Sequence, residues 1–148
     1  MKKYLIGLAV IFAASLLPLG QANAQVALNP CNTAAVRTSA AFNLATATTT
    51  ELVALVANQT VYVCDISMTI SQVATTANTI KFVYGTGTAC ATGTANITGT
   101  FGIGGITAGI PIVVNTGGFK TIVSNALCAT TTIGATGLFS GVVSYVQQ

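Results

Sequence analysis

Thr60-Val61-Tyr62-Val63-Cys64-Asp65-Ile66-Ser67-Met68-Thr69-Ile70-Ser71 is the stretch that decides the fold class. Tyr62, Cys64, Ile66, Met68 and Ile70 alternate with Asp65, Ser67, Thr69 and Ser71. Successive side chains of an extended chain point to opposite faces, so a period of two reads as a half-buried β-strand. On this reading the five apolar residues share one face and the polar set the other.

The pattern continues on both sides. Residues 51–56 read as a partner strand, with Ala57-Asn58-Gln59 as the turn of a hairpin. Residues 79–84 form the next strand, with Ile80, Phe82 and Tyr84 on one face and Lys81 on the other. Residues 85–95 read GTGTACATGTA, and glycines every few positions argue for a loop pinned at Cys90. Alternation returns over 96–103. It is followed by a glycine-rich turn, a strand over 110–115, a Gly117-Gly118 turn, and strands over 119–123, 126–132 and 138–146. In the last, Phe139, Val143 and Tyr145 share one face and Leu138, Val142 and Val146 the other. Apolar groups on both faces predict a central strand. The alanine-rich segment 34–47 carries threonines and no i,i+4 charge pairs, so it reads as extended. Seven to nine short strands with glycine-rich turns predict an all-β chain, an antiparallel β-sandwich that is jelly-roll-like. Recurrent β-branched and aromatic residues exclude general disorder. Residues 25–34 are expected to form a loose arm, apart from Cys31.

The N-terminus has the three parts of an export signal. Lys2 and Lys3 precede an uncharged apolar run from Leu5 to Leu17, Pro18 and Gly20 break it, and Ala22-Asn23-Ala24 offers small residues for cleavage. The run is short against the about 20 residues that a membrane span needs. Gln25 and the Asn29-Pro30 pair before Cys31 do not fit a lipoprotein signal. Residues 1–24 are therefore expected to be removed, leaving 25–148 as one domain in the periplasm, at the cell surface or outside the cell.

Four cysteines remain, Cys31, Cys64, Cys90 and Cys128. An even number in an exported chain predicts two disulfides. Of the three pairings, Cys31–Cys64 with Cys90–Cys128 is favoured. The first would tie the N-terminal arm to a central strand, the second a Gly/Thr-rich loop to a later strand. Each closes a loop of more than 30 residues, worth about 3–4 kcal/mol in the chain-entropy account.

Charge is scarce. After signal removal Arg37, Lys81 and Lys120 face Glu51 and Asp65, a net of +1. No basic patch exists to hold phosphates, so nucleic acid is not an expected partner. There is no histidine, and the two carboxylates are the only candidates for acid–base work. We expect no catalytic residues, no cofactor and no metal, since compact ligand clusters are missing for zinc and acidic ones for calcium. GTGTACATGT lacks the Gly-Lys-Ser/Thr ending of a phosphate loop. Asn58-Gln59-Thr60 and Asn96-Ile97-Thr98 match the glycosylation sequon, read here as chance matches. Tyr62, Tyr84 and Tyr145 fall among apolar neighbours and are expected to pack rather than stack on a ligand.

Val61-Tyr62-Val63-Cys64, Phe82-Val83-Tyr84-Gly85-Thr86-Gly87-Thr88-Ala89-Cys90-Ala91-Thr92-Gly93-Thr94, Ser124-Asn125-Ala126-Leu127-Cys128 and Val143-Ser144-Tyr145-Val146 resemble segments of small uncharacterised secreted and phage-associated bacterial β proteins. The YGTGTxCxTGT motif is the most distinctive element. The resemblance implies a shared disulfide-bonded β fold and brings no activity. Its phage association implies a virion role, against which the export signal argues.

These features predict a non-catalytic exported structural or adhesive subunit. It would self-associate through sheet edges or apolar faces into a filament, a pilin-like polymer or a particle. A virion decoration or receptor-binding module is the alternative, and a small secreted ligand-binding module the second. With the signal removed, no membrane span is expected.

Overall fold

The computed structural model describes residues 29–33, 35–71, 77–103, 109–133 and 137–148, and the side chains of residues 71, 103, 115 and 116 are not described. The expected signal and half of the arm, 25–28 and 34, lie outside the described residues.

The described residues form nine strands: β1 Thr38–Leu44, β2 Thr49–Val53, β3 Val61–Ser71, β4 Asn78–Thr86, β5 Thr92–Asn96, β6 Phe101–Ile103, β7 Ile110–Lys120, β8 Ala126–Thr132 and β9 Leu138–Gln147. One sheet has the order β1-β9-β3-β7 and the other β2-β8-β4-β5, with β6 also paired to β4. Every pairing is antiparallel. With β6 set aside as a short continuation beside β4, the first of the eight remaining strands pairs with the last and the second with the seventh. That alternation between two sheets is the jelly roll, two interlocked Greek keys. The expected architecture is the observed one.

The core lies between the sheets. On the four-stranded sheet the inward rows are Phe42–Gly141–Met68–Ile112 and Ala40–Val143–Ile66–Val114. Ile80, Phe82, Leu127 and Ala129 face them from the other sheet, and Phe42 meets Phe82 edge to face at 6.3 Å. Such aromatic edges contribute about 0.5–1.5 kcal/mol beyond burial. β9 runs between β1 and β3, a central strand as its two apolar faces predicted.

Six local expectations are corrected. The hairpin of 51–56 with 60–71 does not form. β2 pairs with β8 in one sheet and β3 with β7 and β9 in the other, so residues 54–60 cross between sheets. The turn itself is present, with Asn58 at φ 63° and the Gln59 N–H bonded to the Val56 carbonyl. A turn reverses the chain without dictating which sheet receives the next strand.

The period of two in β3 breaks at Cys64. Val63 faces Phe119 and Tyr145, whereas Asp65 faces Asn115 and Ser144, so Cys64 is a bulge residue. A bulge adds one residue and flips the parity beyond it. Val61 and Val63 thus point inward with Ile66, Met68 and Ile70, while Tyr62 and Cys64 point outward. Gly117-Gly118 is no turn. It lies inside β7, where the jump from Asn115 to Phe119 sets residues 116–118 against Cys64 alone. The strand ends at Lys120, short of the expected 123.

Residues 85–95 are largely a hairpin. β4 runs on to Thr86, a 3-10 turn occupies Thr88–Cys90, and β5 returns beside β4. Gly85 permits this, because a Cβ there would stand 2.9 Å from the carbonyl oxygens of Cys90 and Thr92. The expected strand 96–103 is split. The Ile97 and Thr98 N–H groups both reach the Phe82 carbonyl, and Thr98 Oγ1 accepts from the Phe82 N–H at 3.0 Å. These bonds end the ladder until Phe101.

The two disulfides are Cys31–Cys64 and Cys90–Cys128, the favoured pairing, with Cα separations of 5.3 and 6.3 Å. Both lie outside the main core, on opposite outer faces. The first holds the 3-10 turn Pro30–Asn32 against β3 and covers a small cluster with Val146. The second holds the Thr88–Cys90 turn against β8, over Val83 and Ala126.

Candidate functional site

The strand register builds the outer face of the four-stranded sheet row by row. Ser39, Ser144 and Asp65 form one row; Ala41, Val142, Ser67 and Val113 the next; Asn43, Ser140, Thr69 and Pro111 the third. Each row is one residue from an inward row, so the alternation that fills the core also leaves this face small and nearly uncharged. Val113 is 65% exposed and Val142 41%, flanking Ser67 in the middle row. A shallow, open depression sits over the second and third rows, between Asn43, Ser67, Thr69, Ser140 and Val142. Among the described residues no tyrosine lines it.

Charge gathers at one end of this face, around the Cys31–Cys64 staple. Arg37 donates to the Cys31 carbonyl oxygen and lies 3.6 Å from Asp65, both side chains roughly half exposed. Lys120 stands 6.0 Å from the centre of the Tyr62 ring, a cation–π contact. Exposed contacts of these kinds each contribute at most about 1 kcal/mol. Three of the five charges expected in the mature chain are thereby committed to holding the arm and the strand ends together.

The other sheet presents Thr49, Thr130 and Lys81 in one outward row and Thr132 and Thr79 in another. The Thr49 and Thr130 hydroxyls are 3.0 Å apart. Glu51 lies on the outward side of β2, in the row of Cys128 and Val83. The two carboxylates thus stand on opposite outer faces of a sandwich whose sheets alone pack about 10 Å apart. They cannot flank one bond as a glycosidase pair does. Among the described residues no three His, Cys, Asp or Glu side chains gather as metal ligands, and no helix is long and apolar enough to cross a membrane.

Tyr145 packs against the core and Tyr62 against the Cys31–Cys64 cluster, while Tyr84 is half-buried on β4. Of the sequon asparagines, Asn58 sits in the exposed turn and Asn96 ends β5, where Thr98 is buried and its hydroxyl already accepts from Phe82.

Sequence reasoning missed a patch at one end of the sandwich. Leu55, Val56, Ile122 and Val123 are all exposed. Their two loops are joined by bonds from Asn58 N–H to Ser124 Oγ (2.9 Å) and from Ser124 N–H to the Gln59 carbonyl (2.7 Å). The sequence pattern puts 51–56 and 119–123 in strands, whereas these four aliphatics lie in the loops beyond β2 and β7. The loops meet because residues 54–60 and 121–125 both cross between the two sheets at this end. In comparisons with known proteins, no family model, no curated protein and no solved structure matches the chain.

Proposed function

We propose that the chain is an exported, non-catalytic structural subunit that self-associates into a surface polymer or particle, filamentous or pilin-like. The observation that carries this reading is the near-neutral outer face of the four-stranded sheet, ending at a strand edge with no guarding charge or proline. Near-neutral surfaces associate readily, and bare edges template further strands. The disulfides staple both outer faces, a design suited to an oxidising compartment. Three of the five charges hold the arm and the strand ends instead of lining a cleft. Fold does not dictate function, so assembly must be read from these surfaces. Electron microscopy and mass spectrometry of the surface fraction of producing cells test the proposal. Residues 25–148 within a polymer or particle support it. A chain found only as a free monomer refutes it.

A second reading, a virion decoration or receptor-binding module, is favoured by the jelly-roll topology, which recurs in capsid proteins, together with the YGTGTxCxTGT resemblance. Presence of the chain in purified virions would select it.

A further inference from the structure

The sheet edges differ. β7 carries Pro111, the jump at 116–118 and Lys120. β2 has five residues, Glu51 and a register shift. β5 has five residues with Gly93 at φ 62°, and β6 has three. Prolines, charges, bulges and short length are the means by which natural edges avoid pairing. β1 has none of them. Its residues, Thr38–Leu44, pair with β9 without a register shift and include no charge, proline or glycine. Among the described residues nothing hydrogen-bonds to its far side.

Resting on the self-assembly reading, we infer that β1 pairs with β1 of a second copy, antiparallel about a two-fold axis at Ala41. Two four-stranded sheets become one of eight strands. A two-fold contact requires one patch to complement itself, and this strand does. Ser39 would face Asn43, two short polar groups able to bond across the seam. Thr38 would face Leu44, and Ala40 would face Phe42, bringing apolar cover to core residues at the sheet margin. Ala41 would face its own copy, where only a small side chain is needed. No like charges meet, because Arg37 precedes the strand and is held by Asp65 and the Cys31 carbonyl. A highly charged partner would find no counter-charge along β1.

The test uses protein expressed with its own leader and purified with both disulfides formed. Facing Cα atoms of an antiparallel pair lie about 4.5–5.5 Å apart, within disulfide reach of about 4.4–6.8 Å. Ala41→Cys should give a reducible covalent dimer under mild oxidation, and Glu51→Cys, on another edge, should not. A mixture of Ser39→Cys and Asn43→Cys should cross-link far more than either alone. Ala41→Lys should weaken self-association at least tenfold in sedimentation with unchanged circular dichroism. If Ala41→Lys does not fold, the Ala41→Cys cross-link decides. Wild-type association with no Ala41→Cys dimer overturns the β1 contact and leaves the assembly reading standing. A wild type that is monomeric at every concentration overturns both.

Discussion

Replacing Gly141 with alanine tests the packing at the centre of the four-stranded sheet. Gly141 lies on β9 between Phe42 of β1 and Met68 of β3. A Cβ there would run into the Ser67 carbonyl oxygen and stand 2.8 Å from the Cα and Cβ of Met68. These obstacles are mostly backbone and cannot rotate away, so β9 must withdraw from β3. Overpacking of this kind costs about 1–3 kcal/mol. Alanine returns about 0.4–1 kcal/mol by narrowing the unfolded ensemble, so the overpacking cost of about 1–3 kcal/mol appears in full against a glycine replaced without a clash. Gly99→Ala is the matched control. No atom lies within 4 Å of its added Cβ and its φ is outside the left-handed region, so it should be neutral or gain about 0.4–1 kcal/mol. Urea unfolding of both variants, with the disulfides intact, measures the contrast. A Gly141→Ala protein as stable as Gly99→Ala would refute the close approach of β9 to β3.

Replacing Cys31 and Cys64 by serine should cost about 3–4 kcal/mol by loop entropy, as should replacing Cys90 and Cys128. Losing both should leave little of a typical total of about 5–15 kcal/mol, as urea titration of the three variants would show. Thr98→Val keeps the shape but orphans the buried Phe82 N–H, at about 1–3 kcal/mol, read from the thermal midpoint. Arg37→Ala should cost no more than about 1 kcal/mol, because its partner Asp65 is nearly half exposed. Arg37→Ala should also lose most of its effect in about 1 M salt.

The sequence revealed class and staples better than connectivity. The alternation in 66–70 and the two apolar faces of 138–146 placed two long strands. The disulfide pairing was legible because Cys31 precedes the first strand and Cys90 lies in a glycine-rich turn. What failed depends on partners distant in the chain. Cys64 is the extra residue against β9, where Val63 and Asp65 face the consecutive Tyr145 and Ser144, and no local pattern in 60–71 records this. Gly117-Gly118 carries the dipeptide of a turn yet sits in a strand. The hairpin reading of 51–71 failed for the same reason: β2 finds β8 far along the chain. The outer face was hidden too. Ala41, Val142, Ser67 and Val113 become neighbours only through the register of four strands.

Self-association of the chain is the central claim, and sedimentation velocity of the purified, oxidised protein over a wide concentration range tests it most directly. Species larger than a monomer, growing with concentration and matched by filaments or particles on producing cells, are the predicted result. A single monomeric species throughout, with no polymer or particle on cells, would contradict it.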